Sequence, residues 1–317
     1  MTAIPPIGSG DPVPGPPRLR FDLNTATLLG LPEWSAAPKG DWAAIYEGVR
    51  AAGYEGVQHP APIRRAREAG LRMTGAARAD DPARLDAIAA EQRSWGMDAT
   101  TLHLGTGLES DAELDGYADA VLEAAARHGQ PLLVELHRAT IAQDARRTLD
   151  LVDRFPDLRF NADLSHWYTG HEMIYGDFAA KLDRIEPVLS RVRFVHGRVG
   201  DSCVMQRPVG PPDVEPGYLA HFRSMWVRCF AGFLATAKAG EVMVFAPELL
   251  PAAIVVDGET RPLNYALLDP DGSERTDRWT EALRLCAVAR ECFATAERAD
   301  AEATVRSRTP FPSEIFT

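Results

Sequence analysis

The chain has 317 residues, with 34 Lys and Arg against 45 Asp and Glu, giving a net charge of −11. Hydrophobic residues make up 45% and charged residues 25%, an ordinary globular composition that excludes a chain disordered throughout. The acidic balance opposes sequence-independent binding to DNA, and no apolar run approaches the roughly 18 residues of a membrane span.

The length suits two domains or a single α/β barrel. Residues 1–17 are rich in Pro and Gly and lack a basic n-region or apolar h-region, so they read as a floppy lead-in and not a secretory signal. The first strand is expected over residues 19–24. A helix follows over 41–52, with Trp42, Ile45, Tyr46 and Val49 on one side. Strands are predicted at 55–59 and 70–75, then a helix at 81–95 with Pro82 in its first turn. Strand 98–105 and helix 111–128 come next. Strand 131–137 (PLLVELH) has a near-continuous apolar body and leads into helix 142–155. Strand 158–163, helix 178–191, strand 192–198, helix 218–238, strand 241–248 and a closing helix at 276–297 complete the pattern.

Strands alternating with helices imply a parallel sheet, and eight such units fit a closed (β/α)8 TIM barrel. The competing doubly wound sheet lacks its phosphate cradle, because no strand is followed by GxGxxG or GxxxxGK[ST]. The expected organisation is one barrel domain over residues 18–297 and a C-terminal tail over 298–317. Cys203, Cys229, Cys286 and Cys292 show no CxxC spacing, so they read as reduced thiols of a cytoplasmic protein. The three lysines, Lys39, Lys181 and Lys238, fall in loops or helical segments and offer no strand-end Schiff base.

The polar residues at strand ends carry the functional reading. His103, Glu135, Asp163, His196 and Glu248 each finish a late strand, and the C-terminal rim of such a barrel is where the chemistry sits. Alternation along a strand puts Glu135 with His137, Asn161 with Asp163, and His196 with Arg198 on common faces. Three carboxylates and an imidazole form a hard donor set suited to Mn2+, Mg2+ or Co2+, with Zn2+ also admitted. Taken singly, a strand-end acid is more commonly a helix cap, and His196 alone reads as a hydrogen-bonded core histidine. His137 and His166 read as substrate contacts or as rim histidines bonded to backbone. Arg198 reads as a holder of a substrate oxygen or as a salt-bridge partner. Trp167 and Tyr168 could wall a sugar ring, although packing against the next helix is the simpler reading. Residues 201–217 form a long loop with Pro208, Pro211, Pro212 and Pro216, expected to fold over the mouth with Val204 or Met205 toward the substrate.

Four segments carry a resemblance: ELHRAT at 135–140, PDLRFNADLSHWY at 156–168, VHGRVG at 195–200 and APEL at 246–249. Together they resemble the xylose isomerase-like TIM-barrel superfamily, in particular its sugar phosphate isomerase/epimerase branch, over roughly residues 18–295. The resemblance implies one divalent metal ion held by Glu135, Asp163, His196 and Glu248, with Glu135 and Glu248 doubling as the acid/base pair. It places His166 and Arg198 among substrate contacts, beside His103 and His137. It implies an isomerase or epimerase acting on a sugar or keto-sugar by proton abstraction next to a carbonyl, through an enediolate. The alternative is a metal-dependent dehydratase or lyase on a keto-sugar or cyclic polyol, which shares the first step. A DNA-repair endonuclease on the same barrel is disfavoured, because no Asp-x-His pair follows Arg198 before Gly240 and the charge is acidic. A non-catalytic barrel that binds a partner is the remaining reading. No nucleic-acid or membrane partner is expected, and a homo-oligomer is compatible with the sequence.

Overall fold

A computed structural model describes residues 3–211, 213–256 and 258–308, with residues 303–308 described by their backbone only. Strands β1 (Arg18–Asn24), β2 (Gly56–Gln58), β3 (Arg72–Ala79), β4 (Thr100–Leu104), β5 (Leu132–Glu135), β6 (Phe160–Ala162), β7 (Val192–Gly197) and β8 (Val242–Pro247) pair in chain order as a closed barrel. The closing seam is parallel, with Arg18 opposite Val242 and Phe21 opposite Phe245. Every residue of β5 and β8 is buried, as expected of parallel strands covered on both faces.

The surrounding helices are α1 (Trp42–Ala51), α2 (Ile63–Glu68), α3 (Leu85–Ser94), α4 (Asp111–His128), α5 (Ala145–Arg154), α6 (Leu164–Gly170), α7 (Phe178–Leu189), α8 (Gly217–Leu234) and α9 (Arg278–Arg308). Several of their starts are written in the sequence. Asp41, Asp144 and Asp177 each accept the backbone N–H of the residue three positions on, in the first turn. Ser110 and Glu113 form a reciprocal capping box, and Gly129 at φ 61° closes the same helix. Helix α8 buries Phe222, Trp226, Phe230 and Phe233, each contributing about 1.5–3 kcal/mol of burial free energy.

Several features depart from the sequence expectation. Helix α2 (IRRARE) buries only Ala66, so it has no apolar stripe to read. Helix α6 (LSHWYTG) is buried from Leu164 to Tyr168, which erases helical periodicity. Strand β3 runs to Ala79, beyond the expected end at residue 75, because its Gly and Ala residues give no apolar run. An antiparallel hairpin, β9 (Ala253–Val256) with β10 (Glu259–Pro262), fills a stretch with no predicted element. Its second strand is wholly exposed, so no alternation marks it.

The N-terminal lead-in is not floppy over its described part. Ile4 and Ile7 are buried. Ser9 N–H donates to the Gly240 carbonyl at 2.7 Å, Gly240 N–H to Gly15 at 2.7 Å, and Val242 N–H to Ile7 at 2.9 Å. Two apolar side chains and this short ladder outweigh the flexibility suggested by the Pro and Gly content. At the other end, α9 continues to Arg308, past the expected boundary at residue 297; the rest of the expected tail, 309–317, lies outside the described residues. No helix among the described residues is long and apolar enough to cross a membrane.

Candidate active site

The C-terminal ends of the strands bring Glu135, Asp163, His196 and Glu248 together. Glu135 ends β5 and His196 lies near the end of β7; Asp163 and Glu248 directly follow β6 and β8. One ligating atom from each lies within 4.8 Å of all the others. His196 Nδ1 stands 3.4 Å from both Glu135 Oε1 and Glu248 Oε2. Asp163 does act as a helix cap, since its Oδ1 accepts the Ser165 hydroxyl at 2.6 Å and the Ser165 N–H at the start of α6. Its Oδ2 remains for the site, bonded to Arg198 and 3.5 Å from His166 Nε2.

The cluster is nearly dry, and its charges set one another's protonation. Burial alone would raise the Glu135 carboxyl, but His196 and His103 outweigh it and hold it well below the usual carboxylate range. Burial is likewise overcome at Asp163, by Arg198 and His166. His196, which burial would keep neutral, is pushed up to about 9 by Glu248, Glu135 and Asp163. His137 is driven the other way, to about 3, by burial and then by the neighbouring His166 and His103 imidazoles.

The expected substrate contacts also gather here. His103 Nε2 lies 2.9 Å from Glu135 Oε1. The rings of His103, His137 and His166 stack in series, with centroid separations of 4.2 and 3.8 Å. Arg198, buried, bridges Asp163 and Glu248 through one nitrogen. Trp167 and Tyr168 lie in the core, with Trp167 Nε1 bonded to the Ala142 carbonyl and Tyr168 OH to His221, so they form no sugar wall. The loop after β7 is tied down at Gln206, whose amide exchanges two bonds with Leu250. Its Pro212 lies outside the described residues. Val204 and Met205 line a cavity of about 370 Å3 together with Arg138, Asn264 and Tyr265. A larger cavity, about 760 Å3, lies on the outside of the barrel among residues of α7, α8 and α9 and touches no strand end.

Three site residues escaped the sequence reading of function, and a fourth, Asn161, was placed on the face of Asp163 but given no role. Asn24 and Gln58 end β1 and β2 in register. Asn24 donates to Glu248 Oε1 at 3.0 Å, and Gln58 Oε1 faces His196 Nε2 at 2.8 Å. Both are polar strand-end residues, so the rule applied to the later strands would have found them. Asn161 donates to Glu135 Oε2 at 2.9 Å. Tyr265 lies over the Arg198 guanidinium, 4.9 Å from ring centroid to Cζ, and comes from an irregular segment that gives no local signal.

No protein-family model and no curated protein matches the sequence. Solved structures do. A D-psicose 3-epimerase with D-tagatose, from Clostridium cellulolyticum H10, aligns at 12% identity and a TM-score of 0.52 over 86% of this chain and 99% of that one. A xylose isomerase-like TIM barrel protein from Mycobacterium smegmatis in complex with magnesium aligns at 12% identity and 0.49 over 89% and 98%. At such identity the first likeness is one of architecture, and it agrees with the closed eight-strand order. The chain is a closed (β/α)8 TIM barrel, an architecture it shares with the D-psicose 3-epimerase structure.

Proposed function

We propose that the chain is a divalent-metal-dependent sugar isomerase or epimerase that moves a proton next to a carbonyl. Glu135, Asp163, His196 and Glu248 would hold the ion, and Glu135 and Glu248 would form the acid/base pair. The observation that carries this reading is the convergence of three carboxylates and one imidazole from four successive strands, with one ligating atom of each within 4.8 Å of all the others. Carboxylates buried this close repel one another unless positive charge balances them; without an ion Arg198 and His196 supply it, and a bound ion would take over that role. The hard, oxygen-rich donor set suits Mn2+, Mg2+ or Co2+. The buried Asn161 Oδ1 has no partner among the described residues, a sign of a network completed by something further.

When bound, such an ion would stabilise negative charge developing on the substrate's carbonyl oxygen. The chain's own residues supply the rest. Glu135 is fixed by Asn161 and His103 and is ionised at neutral pH. Glu248 is fixed through Oε1 by Asn24, and its side chain keeps 17% exposure toward the mouth. Two carboxylates flanking a sugar carbon suit removal of a proton by one and its return by the other. His166, buried with neither ring nitrogen bonded, offers a hydrogen bond to a substrate hydroxyl, and Arg198 offers a charged donor to a substrate oxygen. Tyr265, Val204 and Met205 would cover the mouth and keep water from the carbanionic substrate.

The test combines metal content with isotope exchange. Purified protein and Asp163→Asn are analysed for bound metal, and ketoses are incubated with Mn2+-supplemented protein in D2O. The expected results are one ion per chain fewer in the second protein than in the first, and deuterium at the carbon beside the carbonyl. Equal occupancy in both proteins, or turnover without exchange, overturns the reading. An unsaturated product in place of an epimer would move it to a dehydratase with the same first proton step.

A further inference from the structure

Three ligating side chains form a second group beside the one just described. One ligating atom from each of His103, Glu135 and His137 lies within 4.8 Å of the others. His137 Nδ1 lies 2.5 Å from the Arg138 carbonyl oxygen. A carbonyl only accepts, so Nδ1 carries the proton, and Nε2 keeps its lone pair for a ligand. This is the backbone anchoring by which metal-binding imidazoles are commonly oriented. Nε2 of His137 makes no hydrogen bond among the described residues. Glu135 divides its oxygens in a way that suits sharing: Oε1 faces His103 at 2.9 Å and His196 at 3.4 Å, while Oε2 is held by Asn161. The His103 side chain is 34% exposed, which leaves room for water to complete a coordination shell.

A separate observation points to the same place. The His166 ring packs 3.8 Å from His137, its side chain is 1% exposed, and neither ring nitrogen has a hydrogen-bond partner. Its Nε2 stands 3.5 Å from Asp163 Oδ2 and its Nδ1 faces no partner among the described residues; a buried imidazole this loosely matched marks a site whose network a ligand or its water completes.

We infer a second divalent-cation site, made by His103, His137 and the shared carboxylate of Glu135. Two imidazoles and one carboxylate form a borderline donor set, suited to Zn2+ or Co2+ in preference to Mg2+. Three protein ligands with an open fourth position leave the ion accessible to water or substrate. The inference rests on the proposed function only through Glu135, which that reading also uses.

The test is cation binding by the full-length protein, stripped with a chelator and titrated with Zn2+ by calorimetry, with elemental analysis of the loaded product. The native protein should bind two ions per chain. His137→Gln should bind one, and so should Asp163→Asn. Co2+ added to Asp163→Asn should give a visible absorption band that the double variant Asp163→Asn/His137→Gln lacks. His137 is partly exposed, so its replacement leaves the core intact, and circular dichroism checks this. A native protein that binds one ion, lost in Asp163→Asn and kept in His137→Gln, overturns the second site and leaves the first standing. Two ions retained in His137→Gln overturn it as well. An ion kept by Asp163→Asn and lost in His137→Gln supports the second site even where the proposed function fails.

Discussion

Arg198 donates from Nη2 to Glu248 Oε2 at 2.9 Å, and the same nitrogen binds Asp163, so one guanidinium ties together the carboxylates that follow β6 and β8. In this arrangement the arginine is the counter-charge for two of the four proposed metal ligands. An arriving ion must take those carboxylates from it. A hydrogen bond to a charged group is worth about 1.5–3 kcal/mol net, and about 1.4 kcal/mol is a factor of ten in affinity. Arg198→Gln should therefore tighten Mn2+ binding about tenfold or more in calorimetry, while turnover falls because the substrate loses its charged donor. Unchanged or weaker Mn2+ binding would show that Arg198 does not compete for the ligands.

Tyr265 covers Arg198 and also accepts a hydrogen bond from Arg138 at 3.1 Å. It is the contact through which the irregular segment after β10 reaches the site. Cation–π contacts are worth about 0.5–2 kcal/mol. Tyr265→Ala should raise KM for the sugar about 3- to 30-fold and leave metal content unchanged. Tyr265→Phe keeps the stacking and should move KM by less than about threefold. Steady-state kinetics on both variants separate the ring's contribution from that of the hydroxyl; equal effects would assign it all to the hydroxyl.

The barrel and the clustering of Glu135, Asp163, His196 and Glu248 at its rim were legible because both are governed by local rules. Buried parallel strands such as LLVE at 132–135 read as apolar runs, and the residue that terminates or follows each one is the residue on the rim. The elements that escaped notice lack any such pattern. Half of helix α2 is arginine, β10 faces solvent, and α6 is buried continuously from Leu164 to Tyr168. Ile4 and Ile7 acquire a role only when β8 lies beside them. Tyr265 is separated from Arg198 by 67 positions in the chain, and nothing local announces that contact. Arg198 was readable as a polar residue in the mouth, but its bridge between two carboxylates depends on three strands meeting.

The loop after β7 should respond to acid. The Asp201 carboxylate accepts the N–H groups of Cys203 at 2.8 Å and Val204 at 2.7 Å, and the Arg207 guanidinium at 2.5 Å. Burial alone would raise this carboxyl, but those donors outweigh it and hold it below its ordinary value of 3.8. With a depressed folded value, the stabilisation is complete above the ordinary value and is lost as pH falls through the lower, folded one. Amide exchange at Cys203 and Val204, corrected for its intrinsic pH dependence, should thus stay slow at neutral pH and accelerate only below about pH 4. Asp201→Asn should show the fast exchange already at pH 7 and raise KM for the sugar. Slow exchange in that variant at pH 7 would mean that the carboxylate charge does not hold the loop.

Stability should be carried at the opposite end of the barrel from the chemistry. On β1, the fully buried Arg20 forks onto Asp22 at 2.9 and 2.8 Å and reaches Asp98 at 2.8 Å, while Thr74 bonds Asp22 at 3.2 Å. Asp98 is also held by Arg72 at 2.8 Å, so Asp22 depends on Arg20 far more than Asp98 does. Removing one member of a buried pair costs about 3–5 kcal/mol, because the other is left charged and dry. Arg20→Met should therefore lower unfolding stability by about that amount in urea titrations at pH 8. Burial already raises the Asp22 carboxyl, and without Arg20 nothing of comparable strength opposes it. A folded value above the unfolded one favours the folded state as pH falls, so the deficit should be smaller at pH 5 than at pH 8. Arg20→Met/Asp22→Leu removes both charges and should recover most of the loss. Metal content should be unchanged throughout, since the proposed ligands lie at the far ends of the strands. A single variant that loses less than about 1 kcal/mol, or a deficit that grows on acidification, would show that the pair does not hold this end of the barrel.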